Sequence, residues 1–419
     1  MKTLLMVGAG SCQINAIKKI KEMGHKVIAA DYNSWTEGKE IADVSVVADA
    51  FDEEAIYLCA KEHHVDGILT VGTDQPVFIV NRVSERLNLP HFLNTQTALW
   101  VTNKKEMKHR FNQFKIPTAP FAVVGHSFGS SALMHLKPPY VIKPIDSQGQ
   151  RGIFKVDSID EIRSRFEAVI RHSRTSEILV EQYYDNDEVT VSGWVTKGRL
   201  SIFTITDRVT FPSDAKIGVC IAHRFPSVHQ KTYGDKIVAL TEHICNRFDI
   251  DEGPIYFQYL IGDKGIWVNE IACRLGGAYE DVTIPYVTGV DVLSHNIYQC
   301  YDASQTFKGY EYKSDKRPYS TQLFFCKPGK VVSMTPVSKL KEKPYILDAG
   351  YNFKMGDTIG QLENASQRAG YFIVTGENEM EVEENIMKAY ALLYFQDEQG
   401  ENLVIRYDEA LSLNHSITL

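Results

Sequence analysis

The sequence predicts an α/β parallel-sheet domain at the N-terminus, followed by a mixed α+β body that ends in a small β-rich region. Three observations predict it. Over the first ninety or so residues, short apolar runs alternate with segments of helical spacing, the pattern of a parallel sheet covered by helices on both faces. From Tyr140 the alternation gives way to closely spaced strands with few helices. From about Ser320, Gly329, Gly350, Gly356, Gly360, Gly370 and Gly376 punctuate short apolar runs.

Taken in order, residues 4–7 form a first strand that ends in Gly8-Ala9-Gly10, and Ile14, Ile17 and Met23 give the following helix its apolar face. Residues 27–30 form a second buried strand ending at Asp31. Residues 43–47 and 67–71 form the third and fourth, with helices over 53–61 and 74–87. Residues 95–120 read as helical, with Asn103 capping the part that carries Lys104, and Pro117 and Pro120 opening a linker. A strand at 140–142, a polar turn at 146–152, a helix at 159–171 and a strand at 178–182 come next. Strands at 189–195, 199–206 and 218–223, a helix at 235–248 and strands at 255–261 and 265–271 complete the body, and a helix at 379–393 closes the C-terminal region. The chain contains no internal repeat.

Composition narrows the function classes. The length of 419 residues implies roughly two to four domains. With 45 Lys+Arg against 53 Asp+Glu, the net charge of -8 argues against a nucleic-acid surface, which needs a basic stripe. The basic cluster from Lys104 to Arg110 reads as one solvated helix face. The 7 cysteines form no CxxC pair, which points away from a disulfide framework or zinc cluster and towards the cytoplasm. No leader-like segment and no apolar run of about 18 residues is present, so no membrane association is expected.

The Gly8 to Gln13 turn lacks the third glycine of a dinucleotide site, since Gln13 stands there, and a tight strand-to-helix turn is the preferred reading. No GxxxxGK[ST] sequence occurs. The stronger signal is a scattered set of charges at strand ends. Lys143 ends an apolar strand, where burial requires an anionic partner. In the turn that follows, Ser147, Gly149 and Gly152 permit backbone N–H groups to converge on a phosphate. Glu181, Gln182 and Tyr183 end another strand, and Glu188 opens the next; between lobes they suit an adenine edge and a ribose hydroxyl pair.

Glu270 lies in an otherwise apolar strand, and the turn from Gly262 to Gly265 brings Gln258 beside it in hairpin register, a pair of oxygen donors suited to Mg²⁺. Arg274 offers a planar fork to a carboxylate or phosphate, and Gly276 and Gly277 allow close backbone approach to a ligand. His223 lies after its strand, and the resemblance given next implies a substrate contact or amine base there. His63-His64 reads as a helix end.

With these residues the chain resembles the ATP-grasp ligases, and within them the L-amino acid ligases and carbamoyl phosphate synthase-like proteins. The likeness runs from Gly8-Ala9-Gly10 to Asp31, through Asn103-Lys104, Ile116-Pro117, Lys143, the 147–152 turn, the 181–188 segment, Gln258, Glu270 and Arg274, and on to 288–291 and 368–376. It implies an ATP-grasp fold: a Rossmann-like pre-ATP-grasp domain (1–95), a first lobe with its linker helix (96–186), a second lobe (187–315) and a C-terminal domain (316–419).

The resemblance further implies that Lys104 and Lys143 meet ATP phosphates, that 147–152 covers them, that Glu181–Tyr183 and Glu188 hold adenine and ribose, and that Gln258 and Glu270 bind Mg²⁺, with Mn²⁺ as the alternative. The implied reaction joins a small-molecule carboxylate, an amino acid, to an amine through an acyl phosphate; Arg274 and Lys143 act in catalysis and a homodimer is allowed. The alternatives are a carboxylase, a carbamoyl-phosphate-synthase-like phosphorylation of a carboxylate, and a non-catalytic ATP-binding protein. There are two departures from the family pattern: Ala272 stands where many members carry Asn, and the phosphate turn, with Gln148, Gln150 and Arg151 in it, is poor in glycine.

Overall fold

A computed structural model describes residues 1–213, 217–312 and 317–412. The N-terminal sheet comprises β1 (Thr3–Val7), β2 (Lys26–Asp31), β3 (Val44–Val47) and β4 (Gly67–Leu69), all parallel in the order β3-β2-β1-β4. Both faces of β1 and β2 are buried, which is why these strands read as unbroken apolar runs. The helices α1 (Ile14–Glu22), α2 (Glu37–Ile41), α3 (Glu53–Glu62) and α4 (Pro76–Arg86) connect and cover them, and His63 caps the end of α3.

The stretch expected as one helical segment is two helices, α5 (Thr95–Thr102) and α6 (Lys104–Gln113), broken at Asn103. Asn103 leaves the helical conformation (φ -102, ψ 113) and its side chain accepts from the N–H groups of Lys105 and Glu106, ending one helix and starting the next. Next comes a four-stranded antiparallel sheet, β5 (Phe121–Gly125), β6 (Tyr140–Pro144), β7 (Phe154–Val156) and β8 (Glu177–Gln182), in the order β5-β8-β6-β7 and packed under α7 (Ile159–Ile170). The segment expected as a linker after Pro120 supplies β5.

Continuing along the chain are β9 (Asp187–Thr196), β10 (Arg199–Thr210), β11 (Cys220–Phe225), α8 (Gln230–Arg247), β12 (Glu252–Gly262), β13 (Gly265–Ala272), α9 (Glu280–Thr288), α10 (Val292–Gln299) and β14 (Tyr319–Phe324). The C-terminal region contributes β15 (Gly329–Lys330), β16 (Ser333–Met334), α11 (Val337–Lys341), β17 (Ile346–Tyr351), β18 (Thr358–Ile359), β19 (Gly370–Thr375), α12 (Glu379–Leu392), β20 (Phe395–Gln396) and α13 (Tyr407–Ser412).

One 8-stranded sheet, β13-β12-β9-β10-β11-β14-β19-β17, dominates the molecule. Its last three strands come from the region after Ser320, and β14 pairs with β11 in the register Ala222↔Gln322. The C-terminal strands therefore extend the sheet of the preceding body; the expected boundary at 315–316 lies outside the described residues. On one side of this sheet, Ile237, Ile244 and Phe248 of α8 meet Val191, Ile205 and Phe257. Elsewhere Trp194, Phe203 and Leu275 pack with Leu4, Met6 and Ile17, which seats the N-terminal domain against the sheet. No helix among the described residues is long and apolar enough to cross a membrane.

Candidate active site

A cavity of ≈ 320 Å³ opens where the N-terminal domain, the two later sheets and the C-terminal segment meet. It is lined by the turns at 10–13 and 72–74, by Lys104, Lys143, the 147–151 turn, Gln258, Glu270 and Arg274, and by Asn352, Ala365, Ser366 and Arg368.

Helix α6 sets its charge pattern. Lys104 and Lys108, four residues apart, lie on its buried face beside Met107 and Phe111. The Lys104 ammonium lies 2.9 Å from Glu270 on β13 and donates to the Ser147 carbonyl at 2.8 Å. The Lys108 ammonium lies 2.5 Å from Glu181 on β8 and donates to the Thr118 hydroxyl at 2.5 Å. Lys143 also pairs with Glu181. Burial pushes Glu181 up, but Lys108 and Lys143 outweigh it and hold this carboxyl down at about 2. Glu270 is lowered as well: burial opposes the charge, and Lys104, then Lys143 and Arg274, override it.

The β12–β13 hairpin places Gln258 directly opposite Glu270. The register then shifts to Tyr259↔Val268, so Asn269 is the extra residue of a β-bulge. Its amide accepts a long contact from the Lys143 ammonium at 3.4 Å and approaches the Gln258 carbonyl oxygen at 3.5 Å. An asparagine thus stands in the hairpin one position before Glu270, and Ala272 two positions after it. Among the described residues no three His, Cys, Asp or Glu side chains gather as cation ligands. Glu270 and Gln258 fit a hard cation that keeps water and phosphate in most of its coordination positions.

Arg274 donates through Nε (2.8 Å) and Nη2 (2.5 Å) to Asp74 of the N-terminal domain, and lies over the Tyr256 ring at 4.5 Å. The 147–152 turn is anchored on two sides: Gln148 accepts from the N–H groups of Asp74 (2.9 Å) and Gln75 (3.1 Å), and the Gly149 carbonyl accepts from Ala365 N–H at 3.3 Å. Gly149 (φ 71) and Gly152 (φ 69) hold the left-handed conformations that shape it.

Not every expected site residue stands on this cavity: Glu181, Gln182, Tyr183 and Glu188 are not among those lining it. The N–H groups of Gln182 and Tyr183 donate to the carbonyls of Pro120 (2.9 Å) and Pro139 (2.8 Å). Glu188 faces Arg208 directly across the β9–β10 ladder and pairs with it at 2.5 Å, so it is not a free acid. Gly277 lines the cavity, and both glycines make close protein contacts: a Cβ on Gly276 would stand 2.2 Å from the Glu280 carboxyl carbon, and one on Gly277 2.6 Å from the Gly72 carbonyl oxygen.

His223 lines the cavity, but burial first, then the charges of Arg208 and Arg368, push it down to about 3. Burial and the two arginines thus disfavour the charged form of this ring. Lys108 is not on a solvated face: it is 1% exposed. The Gly8 to Gln13 turn is filled by its own chain, since Ala9 N–H donates to Asp31 at 3.0 Å, Gly10 N–H donates to the Gln13 side chain at 3.0 Å, and that side chain donates to the Val71 carbonyl at 2.6 Å. Sequence reasoning missed Lys108, Asp74, Arg208 and Arg368; only Lys108 carried a local signal, its spacing from Lys104, Met107 and Phe111.

Residues 136–281 match the ATP-grasp domain, and residues 322–398 match the L-amino acid ligase C-terminal domain 2. Dapdiamide A synthase from Enterobacter agglomerans is 19% identical over 74% of this chain and 75% of its own length. An L-arginine-specific L-amino acid ligase from Bacillus subtilis is 23% identical over 68% of this chain and 70% of its own. The crystal structure of an L-amino acid ligase from Bacillus licheniformis superposes with a TM-score of 0.78 at 18% identity, covering 95% of this chain and 99% of that one. The chain thus carries an ATP-grasp domain and an L-amino acid ligase C-terminal domain on an ATP-grasp fold, and belongs to the ATP-grasp ligases.

Proposed function

We propose that this protein is an ATP-dependent carboxylate–amine ligase that uses an amino acid and releases ADP and phosphate. The observation that carries the reading is the presence of Lys104, Lys143, Gln258, Glu270 and Arg274 on the walls of one cavity. Little covalent chemistry falls to the protein in such a reaction; positioning and neutralisation of phosphate charge dominate.

Glu270 and Gln258 would hold Mg²⁺, or Mn²⁺ at the same oxygen donors, and the metal when bound neutralises the β- and γ-phosphates. Lys104 and Lys143 bring ammonium groups to the phosphates. Arg274, fixed by Asp74, meets the transferred phosphoryl group or the attacking carboxylate. The 147–152 turn covers the phosphates and limits water, against which an acyl phosphate is labile.

In the first step a carboxylate oxygen bonds to the γ-phosphorus as the bond to the ADP oxygen breaks. In the second, the amine nitrogen bonds to the acyl carbon, the carbon–oxygen bond breaks, phosphate leaves with the electron pair, and the nitrogen gives its proton to water. His223, neutral and weakly basic, contacts substrate as a hydrogen-bonding group. The names of the relatives and the match over 322–398 favour amino-acid substrates.

The test is ADP and phosphate release with MgATP across a matrix of amino-acid pairs, with bicarbonate as a separate arm. Release that depends on a pair, with an amide product by mass, is the expected result. Release driven by bicarbonate alone favours the carboxylase reading, and no substrate-dependent release sinks both.

A further inference from the structure

A second cavity, of ≈ 170 Å³, opens at the end of the large sheet, where β11 stops and β14 and α12 begin. Phe225, Pro226, Tyr319 and Val382 give it apolar walls, and Asp207 and Arg224 line it with one charge of each sign. These two residues stand directly opposite each other in the β10–β11 ladder. A carboxylate and a guanidinium so placed ordinarily pair, but here they part. Asp207 accepts from the Ser227 hydroxyl at 2.5 Å and the Val228 N–H at 2.9 Å, and among the described residues no basic side chain pairs with it; the nearby His229 pairs with Asp187 at 2.9 Å. Burial pushes the Asp207 carboxyl up from its ordinary range despite those two donors. Arg224 turns instead to Glu383 of α12, and its Nε is shielded from solvent with no acceptor.

A carboxylate without a cation and a guanidinium donor without an acceptor are both costly on the walls of one apolar space. An α-amino acid carries an ammonium and a carboxylate on a single carbon, so one molecule answers both groups and leaves its side chain for the apolar walls. Glu379 and Glu383 line the cavity from the start of α12, which disfavours a ligand with a further acidic group.

We propose that this pocket binds a free α-amino acid, its ammonium on Asp207 and its carboxylate on Arg224, as an effector of the active-site cavity behind the same strands. The coupling follows from the ladder. The next pair along it, Arg208↔His223, points to the opposite face of the sheet, and both of its members line the active-site cavity. The two cavities therefore share adjacent rungs of β10 and β11. A ligand that bridges Asp207 and Arg224 fixes the spacing of the strands that carry Arg208 and His223. The binding site stands apart from the ligase reading, and only the effect on turnover rests on it.

The experiment uses the full chain. Each common amino acid is titrated calorimetrically without nucleotide, and the tightest binder is compared with its carboxamide and its Nα-acetyl derivative. One site per chain is expected, with each blocked derivative weakened roughly 10-fold or more. Asp207→Asn and Met380→Trp should each remove that site. Met380 lines the pocket and is 71% exposed, so its replacement narrows the mouth and reads out the pocket even where Asp207→Asn fails to fold. In turnover with MgATP and amino-acid pairs, the binder should shift kcat/KM about 5-fold or more in the wild-type protein and not in Met380→Trp.

A wild-type protein that binds no amino acid overturns the proposal. So do a Met380→Trp isotherm that matches wild type and a carboxamide bound as tightly as its acid. Binding with no change in turnover overturns the effector role. Absence of turnover with every pair is a separate result: it sinks the ligase reading, while the calorimetric arms still decide the site.

Discussion

Lys104 and Lys108 leave the same helix, one turn apart, and each meets a glutamate on a different sheet, Glu181 buried and Glu270 half-buried. Lys108 reaches Glu181 on the four-stranded sheet, which Lys143 also pairs, and that carboxylate is not on the cavity lining. Lys104 reaches Glu270 on the 8-stranded sheet, which lines the cavity opposite Gln258. The chemistry of the two pairs is the same. Access separates them: one ties α6 to the four-stranded sheet away from the cavity lining, and the other stands on the cavity wall. A buried lysine–glutamate pair is by itself evidence of neither stability nor function.

The contrast can be broken by mutation. Glu270→Ala is expected to lower amino-acid-dependent phosphate release at least about 10²-fold with a small change in melting temperature, because it removes a cavity donor. A variant with turnover near wild type would place the cation elsewhere. Lys108→Met should do the reverse and cost about 3 kcal/mol in denaturant unfolding, since it leaves part of the Glu181 charge uncompensated in the interior. Unaltered stability would show that Lys143 alone satisfies Glu181.

Gly277→Ala presses a Cβ against the Gly72 carbonyl and is expected to destabilise by about 1–3 kcal/mol, read as a lowered melting temperature, because two packed domains must separate locally. The smallest effect concerns His223. Its folded value, about 3, lies below the ordinary 6.5, so as pH falls from 6.5 towards 3 the unfolded chain takes a proton that the folded chain refuses, and stability drops. His223→Gln should flatten the unfolding free energy across that window; an unchanged acid slope would mean that the ring is charged in the fold.

Much of this arrangement was legible in the sequence, for reasons that differ by residue. Glu270 was readable because a carboxylate interrupts an apolar strand, and its neighbour Gln258 because the turn at 262–265 sets the register. Lys143 was readable for the same reason, a charge at the end of a buried strand. Lys108 was hidden among solvated-looking charges, although Lys104, Met107, Lys108 and Phe111 share one helical face. The pairing of Glu188 with Arg208 was not readable, because Arg208 lies across a ladder whose register no local pattern gives. Arg368 could not be placed at all: its position depends on β14, β19 and β17 joining a sheet begun more than a hundred residues earlier. Local rules find charges that break a pattern, and they miss charges whose partners are fixed by long-range pairing.

In the proposed function Glu270 holds the magnesium of a bound nucleotide. Its most direct test is the shift in melting temperature caused by ATP with and without Mg²⁺ in the wild-type protein and in Glu270→Gln. Magnesium should add at least about 3 °C to the ATP-induced shift in the wild-type protein and little in the variant. An equal magnesium-dependent shift in both would contradict it.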